Sequence, residues 1–131
     1  MRWKGDKTMY GNDLKVYSYV CSHCFNSLEK CECEQYPETL IQIDKRMVPV
    51  IKELNKKHYR TEGCCEGHVG KFDKMYIFFV KKYKFKVSYP DGFTGDGAYI
   101  LAEIKGSSEN AKKRNKRLLL NRLYDWACKL D

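Results

Sequence analysis

Four cysteines near the N-terminus constrain this chain more than any other feature. They form a Cys-x-x-Cys hook at Cys21 and Cys24 and a Cys-x-Cys hook at Cys31 and Cys33, with six residues between the hooks. Two such pairs of thiols allow four sulfurs to reach one Zn²⁺ ion at about 2.3 Å in a tetrahedral site. We therefore expect a zinc knuckle over residues 21–33, with zinc as the cofactor. The alternative is four reduced thiols that have this spacing by chance.

The number and setting of the cysteines favour a reducing compartment. The chain has seven cysteines, an odd number, whereas a secreted disulfide scaffold usually has an even set and a signal peptide. No apolar run follows the charged residues at 1–7. The longest strictly apolar run, Met75–Val80, has six residues, against about 20 needed to span a bilayer. We expect a cytoplasmic protein with no membrane partner.

Length and hydrophobic patterning predict one α+β domain over residues 1–131. Hydrophobic residues make up 43% of the chain and aromatic residues 14%, which excludes a disordered chain. The fold class that we expect is a mostly antiparallel sheet with two helices on one face and the zinc knuckle near the N-terminus. The predicted strands are Leu14–Val20, Thr39–Ile43, Tyr59–Glu62, Met75–Lys81, Lys84–Tyr89 and Ala98–Ile104.

Three of these elements carry more detailed expectations. The continuous apolar strand Met75–Lys81 is predicted to be central and buried on both faces. Lys84–Tyr89 and Ala98–Ile104 are predicted to form a hairpin around a long loop rich in turn residues. Asp44 is predicted to cap a helix over residues 46–57 that has Pro49 in its first turn, and Ser107 or Ser108 to cap the last helix.

A second group of potential ligands lies at Cys64-Cys65-Glu66-Gly67-His68. Cys65 with His68, or Cys64 with His68, could bind a second metal ion, with the remaining ligands drawn from His58, Glu62 or Glu66. Alternatively, Cys64 or Cys65 is a nucleophile with His68 as acid or base, or the group contacts a substrate. The structural alternative is a tight turn bounded by glycines with buried thiols. The sequence leaves these alternatives open.

The region from residue 43 to residue 80 resembles two groups of proteins. Leu54-Asn55, Tyr59, Thr61, the Cys65-x-Gly67-His68 turn and the aromatic strand Tyr76–Phe79 are similar to a pattern in small uncharacterised proteins of Gram-positive bacteria and their phages. The same region is distantly similar to the wybutosine-synthesis tRNA methyltransferase family, in which a strand ends in a Ser-Cys-Ser-Gly-Arg turn. This resemblance implies that the turn at residues 63–68 is a functional site, and it assigns no activity.

The charge of the chain points to an anionic partner. Lys and Arg total 25 against 17 Asp and Glu, a formal net charge of +8. Two basic tracts could follow a phosphate backbone, and Tyr17, Tyr19, Tyr83 and Tyr89 could stack on bases. The alternative is a solvated face that only keeps the protein soluble. The predicted phosphate contacts are Lys81, Lys82, Lys84, Lys86, Lys112, Lys113, Arg114, Lys116 and Arg117.

These patterns together predict a small zinc-binding basic protein of phage or mobile-element type, more readily a binding module than an enzyme. Its expected partner is nucleic acid or a protein bound to nucleic acid. One alternative is an enzyme that acts on RNA or a nucleotide through the Cys64–His68 segment. The other is a phage protein that inhibits a host factor, for which the surface matters and the motifs do not.

Overall fold

The structure, a computed structural model, describes residues 17–22, 24–26, 33 and 40–131. These residues form an α+β fold, as the sequence predicts, but the antiparallel strands are divided between two sheets where one sheet is expected. The first sheet pairs β1 (Tyr17–Cys21) with β2 (Leu40–Asp44). The second has the strand order β3-β4-β6-β5, in which all neighbours are antiparallel. Its strands are β3 (Thr61–Cys65), β4 (Lys74–Phe79), β5 (Phe93–Gly95) and β6 (Tyr99–Glu103).

The two helices begin close to the predicted positions. A 3₁₀ turn at Lys45–Met47 leads into α1 (Val48–Lys56), whose first turn contains Pro49, where the missing N–H costs no helical hydrogen bond. Ser108 caps α2 (Glu109–Lys129), and its hydroxyl accepts a hydrogen bond from the Ala111 N–H at 3.1 Å. The prediction for Asp44 is wrong, because its side chain makes no capping hydrogen bond.

The four-stranded sheet is buried on one face, which corrects the prediction for β4. Along this strand Met75, Ile77 and Phe79 are buried, whereas Phe78 is 48% exposed. The buried residues share one core with the inward faces of both helices, including Leu54 of α1 and Leu123 of α2. Because β4 consists almost entirely of apolar residues, its sequence hides the alternation that the pleat imposes.

The segment predicted as a strand at Lys84–Tyr89 has no regular secondary structure, and β5 lies in the predicted loop instead. Phe85 packs against Trp126 of α2, with ring centroids 5.0 Å apart, and the Trp126 indole donates to the Val87 carbonyl at 3.4 Å. The alternating aromatic residues therefore face α2 and the core, and they do not follow a sheet ladder. The short β5 pairs with β6 as the true hairpin.

Among the described residues, neither helix is both long enough and apolar enough to cross a membrane.

Candidate functional site

Three of the four predicted zinc-binding cysteines come together in the structure. The Sγ atoms of Cys21, Cys24 and Cys33 all lie within 4.8 Å of one another. Thiolates that bind one tetrahedral ion at about 2.3 Å lie about 3.8 Å apart, so this cluster is compatible with a metal site. Cys31, the fourth predicted ligand, lies outside the described residues.

The turn that follows β1 positions the first two cysteines of this cluster. The Phe25 N–H donates to the Cys21 carbonyl at 2.8 Å, and the Cys21 N–H donates to the Asn26 carbonyl at 2.9 Å. Phe25 is buried in the core even though its φ is +60°, and Lys52 of α1 donates to the Asn26 side chain. The turn is thus fixed to α1 and the core, and the thiols of Cys21 and Cys24 are brought to one side of it.

A second cluster brings Cys65 and His68 together with Asp44, a residue that the sequence predicts only as a cap. The Sγ atom of Cys65, a carboxylate oxygen of Asp44 and a ring nitrogen of His68 lie within 4.8 Å of one another. Asp44 ends β2, whereas Cys65 ends β3, so the cluster joins the two sheets. We give the name mixed cluster to these three residues. His58, Glu62 and Glu66 do not belong to it.

Hydrogen bonds hold each member of the mixed cluster in place. Asp44 Oδ2 accepts the Glu66 N–H at 2.7 Å and lies 3.3 Å from His68 Nε2. The Gly67 N–H donates to Cys65 Sγ at 3.4 Å, and the backbone of His68 pairs with that of Phe72. One interpretation of the sequence is a tight turn that contains both thiols. In the structure Cys64 and Cys65 belong to β3, and the turn begins only after Cys65.

The two adjacent thiols occupy successive positions of β3 and differ in their surroundings. Cys64 lies opposite Ile77 and packs against the core, whereas Cys65 lies opposite Tyr76, and both residues line the cavity described below. Burial raises the pKa of the Cys64 thiol to about 12, and the neighbouring Asp44 carboxylate adds to the effect. Burial also raises the pKa of Cys65. Both are thiols at neutral pH unless a cation is bound, which argues against either as an activated nucleophile.

An open cavity of about 440 Å³ adjoins the mixed cluster. Aromatic side chains form much of its wall: the Tyr17 ring lies 6.1 Å from the His68 ring, and Phe72 and Tyr76 line the side of the four-stranded sheet. Gln42 and Cys64 complete the wall. The cavity can therefore hold a small ligand next to the Cys65 thiol and the His68 imidazole.

Glu66, the central residue of the second sequence motif, has a structural role. Its buried carboxylate is paired with Lys116 of α2, and its other oxygen accepts the Arg46 N–H at 3.1 Å. Lys116 also donates to the Gly67 carbonyl at 2.7 Å. The Lys116 ammonium is buried in these contacts, so it is not available to a phosphate, contrary to the expectation for this residue.

The other predicted phosphate contacts differ in their solvent exposure and in whether a carboxylate is already paired with them. Lys112 is paired with Asp73 at 2.7 Å, and this contact, followed by a hydrogen bond from the Gly70 N–H, lowers the pKa of the Asp73 carboxyl. Lys113 is exposed and lies 3.3 Å from Glu109. Six of the predicted contacts are exposed and have no carboxylate partner within the described part of the chain: Lys81, Lys82, Lys84, Lys86, Arg114 and Arg117.

Four aromatic residues on the second sheet and its edge form a continuous row, which the sequence did not predict. Ring centroids are 6.1 Å apart for Phe72 and Tyr76, 5.0 Å for Tyr76 and Phe78, and 6.4 Å for Phe78 and Tyr99. Phe72 is 42% exposed and Phe78 is 48% exposed. Phe72, Tyr76, Phe78 and Tyr99 are called the aromatic row below.

Two of the tyrosines predicted to stack on bases pack against other aromatic side chains of the protein. Tyr83 and Tyr89 are partly buried and pack with Phe85, Phe79 and Trp126 against the core. The signal that could have identified the aromatic row is the spacing of Tyr76 and Phe78, which places both rings on one face of a strand. No local signal identifies Asp44, because its partners lie more than 20 positions further along the chain.

Comparisons with known protein families, curated proteins and solved structures found no match for this chain.

Proposed function

We propose that this protein is a small zinc-binding module that binds single-stranded nucleic acid on the aromatic row. The observation that carries the proposal is the exposure of Phe72 and Phe78, 42% and 48%, beside Tyr76 and Tyr99. Large apolar side chains exposed side by side are uncommon on a protein surface without a partner. Unpaired bases stack on such rings with about 1–3 kcal/mol per base, and stacking tolerates any sequence.

The basic charge of the chain supports the same partner. Lys82, Lys84 and Lys86 alternate with the inward aromatic residues of the segment after β4, so they all project to the surface. The packing of Phe85 on Trp126 fixes this segment to α2. Phosphates of a single strand that reach these lysines would release counterions, which supplies sequence-independent affinity. A double helix is a poorer partner, because its stacked bases cannot lie on the rings.

The zinc ion of this proposal lies at the first cysteine cluster and is structural. Cys21, Cys24 and Cys33 would hold it, and Cys31 supplies a fourth thiolate in the sequence. A site of four thiolates has no open position for a substrate, so its contribution is to the stability of the hairpin that contains β1 and β2. The cluster's proximity to the buried Phe25 couples that stability to the core.

The experiment is fluorescence anisotropy with short labelled single-stranded RNA and DNA oligonucleotides, over a range of salt concentrations. Phe78→Ala is expected to weaken binding by about 5- to 150-fold, which corresponds to the loss of one stacked base. Tyr124→Ala is the matched control, because Tyr124 is an aromatic residue that is 42% exposed on α2, away from the row. This control is expected to bind as the parent protein does.

The proposal would be contradicted by no binding at low salt, by equal effects of Phe78→Ala and Tyr124→Ala, or by an affinity that does not change with salt. Tighter binding of a duplex than of either single strand would also contradict it, and would move the contact to the lysines alone.

A further inference from the structure

We infer that Asp44, Cys65 and His68 bind a second zinc ion, which keeps one coordination position open to the adjoining cavity. This site is separate from the first cysteine cluster, and it does not depend on nucleic-acid binding. The ligand that would complete it is a water molecule or a small anion that enters from the cavity.

The separations in the mixed cluster match those of tetrahedral ligands. Two ligands at about 2.0 Å from a tetrahedral ion lie about 3.3 Å apart, and Asp44 Oδ2 lies 3.3 Å from His68 Nε2. Cys65 Sγ lies within 4.8 Å of both groups, on the same side of the sheet as the cavity. An ion between the three donors would need only small side-chain adjustments.

Burial and charge give a second, independent reason for a cation here. Asp44 is only 5% exposed, and within the described part of the chain its one ion-pair neighbour is the His68 imidazole, which is charged only when protonated. A buried carboxylate is costly unless a positive charge compensates it. The neighbouring cations Lys116 and Arg46 are turned towards Glu66. A divalent cation would neutralise Asp44 and would convert Cys65 to its thiolate form.

The short segment that joins Cys65 to His68 favours the thiolate form of Cys65. Cys65 and His68 are separated by Glu66 and Gly67, and the Gly67 N–H points at Cys65 Sγ from 3.4 Å. Gly67 has a φ of +87°, and a Cβ at this position would clash with Cδ1 of Ile104 and lie 3.1 Å from the Lys74 carbonyl oxygen, which favours glycine here. A backbone N–H aimed at sulfur stabilises the negative charge that coordination requires.

The open position follows from the number of donors. Three protein ligands are typical of zinc sites that exchange a fourth ligand, whereas four are typical of structural sites. Glu66 cannot supply the fourth, because its carboxylate is held by Lys116 and Arg46. Cys64 also lines the cavity, but its sulfur is not among the donor atoms that lie within 4.8 Å of one another. The fourth position would therefore face the cavity between Tyr17 and Tyr76.

The test replaces zinc with Co²⁺ and measures visible absorption, because the thiolate-to-cobalt charge-transfer band grows with the number of thiolates. In the Cys21→Ser/Cys24→Ser variant we expect one Co²⁺ per chain with the spectrum of a single thiolate. Adding azide, a small anionic probe, is expected to shift its d–d bands, because the ion has an open position. Cys65→Ser in the parent protein should remove this ion and its azide response.

Two controls separate this site from its surroundings. Cys64→Ser changes the adjacent thiol and is expected to keep the second ion, whereas His68→Gln is expected to weaken its affinity at least tenfold. Should the Cys21/Cys24 variant fail to fold, the parent protein still distinguishes the sites: it should bind two Co²⁺ ions, of which only one responds to azide.

A stoichiometry of one ion per chain, unchanged by Cys65→Ser, would overturn the second site. A second ion without any azide response would overturn its open position.

Discussion

The ammonium of Lys116 on α2 lies 2.5 Å from Oε2 of Glu66, and both side chains are buried. Glu66 is the residue between Cys65 and Gly67, so this ion pair fixes the last helix to the segment that carries the mixed cluster. Lys116 also donates to the Gly67 carbonyl at 2.7 Å. The geometry of the candidate second metal site is therefore set in part by a helix that supplies none of its ligands.

Removing the Lys116 ammonium should destabilise the whole fold. In Lys116→Met the negative charge of the buried Glu66 carboxylate is compensated only by the exposed Arg46 guanidinium, whose nitrogen lies 3.8 Å away. Breaking a buried ion pair on one side costs about 3–5 kcal/mol. Urea denaturation of Lys116→Met should show a loss in this range. Lys113→Met is the control, because Lys113 is an exposed member of the same helix and its pair with Glu109 contributes less than about 1 kcal/mol. Equal losses in the two variants would contradict the prediction.

Two glycines with the same backbone conformation should respond differently to alanine. Gly67 and Gly70 have φ values of +87° and +88°, but a Cβ at Gly70 would meet no atom within 4 Å, whereas at Gly67 it would clash with Ile104. Gly70→Ala should therefore cost about 1–2 kcal/mol, from backbone strain alone. Gly67→Ala should cost about 1–3 kcal/mol more, from overpacking. Thermal or urea unfolding of the metal-free variants measures both. Similar losses would show that the fit around Gly67 is looser than described.

The raised pKa of Cys64 predicts how stability depends on pH in the metal-free protein. The pKa is about 12 in the folded protein, above the ordinary value of 9.0. The protonated thiol therefore contributes its full stabilisation below pH 9 and loses it as the pH rises towards 12, by up to about 1.4 kcal/mol per pH unit. The quantity to measure is the difference in free energy of unfolding between the parent protein and Cys64→Ala, at pH 8 and pH 10. We expect the parent's advantage to shrink at pH 10, and a difference that is constant or grows with pH would contradict this.

The lysines after β4 should determine part of the salt dependence of nucleic-acid binding. For a single strand, log K falls with log salt, and each phosphate that the protein no longer neutralises makes this slope shallower by about 0.7. Lys82→Gln/Lys84→Gln should therefore make the slope shallower by about 1.4 in anisotropy titrations. Lys52→Gln is the control, since Lys52 lies on α1 and donates to Asn26. If the control changes the slope as much as the double variant does, the nucleic acid does not bind along these lysines.

The sequence predicts local features of this fold better than it predicts contacts between distant segments. The cap at Ser108 and the place of Pro49 depend on neighbouring residues, and both are correct. The strand predicted at Lys84–Tyr89 fails for a tertiary reason, because its alternation arises from packing on Trp126. Asp44 reaches Cys65 only because β2 pairs with β1 and lies against β3. These are contacts between distant segments, and no short-range sequence pattern predicts them.

The cysteine pattern is a partial exception to this rule. Cys21, Cys24 and Cys33 could be grouped from spacing alone, since only six residues separate the two short hooks and such hooks commonly share one ion. The Cys65–His68 hook could likewise be recognised, but not its third partner. The aromatic row could be read from the strand only in part. The spacing of Tyr76 and Phe78 places both rings on one face, but every residue from Met75 to Val80 is apolar, so the sequence does not show that this face is exposed to solvent.

The most direct test of this account is the zinc content of protein purified without a metal-binding tag, measured by elemental analysis. We predict two zinc ions per chain. Cys21→Ser/Cys24→Ser should lose one of them, and Cys65→Ser should lose the other. A parent protein without zinc that also fails to take it up would contradict the account at its centre. One ion that is lost only with the Cys21/Cys24 change would preserve the structural zinc and contradict the second site.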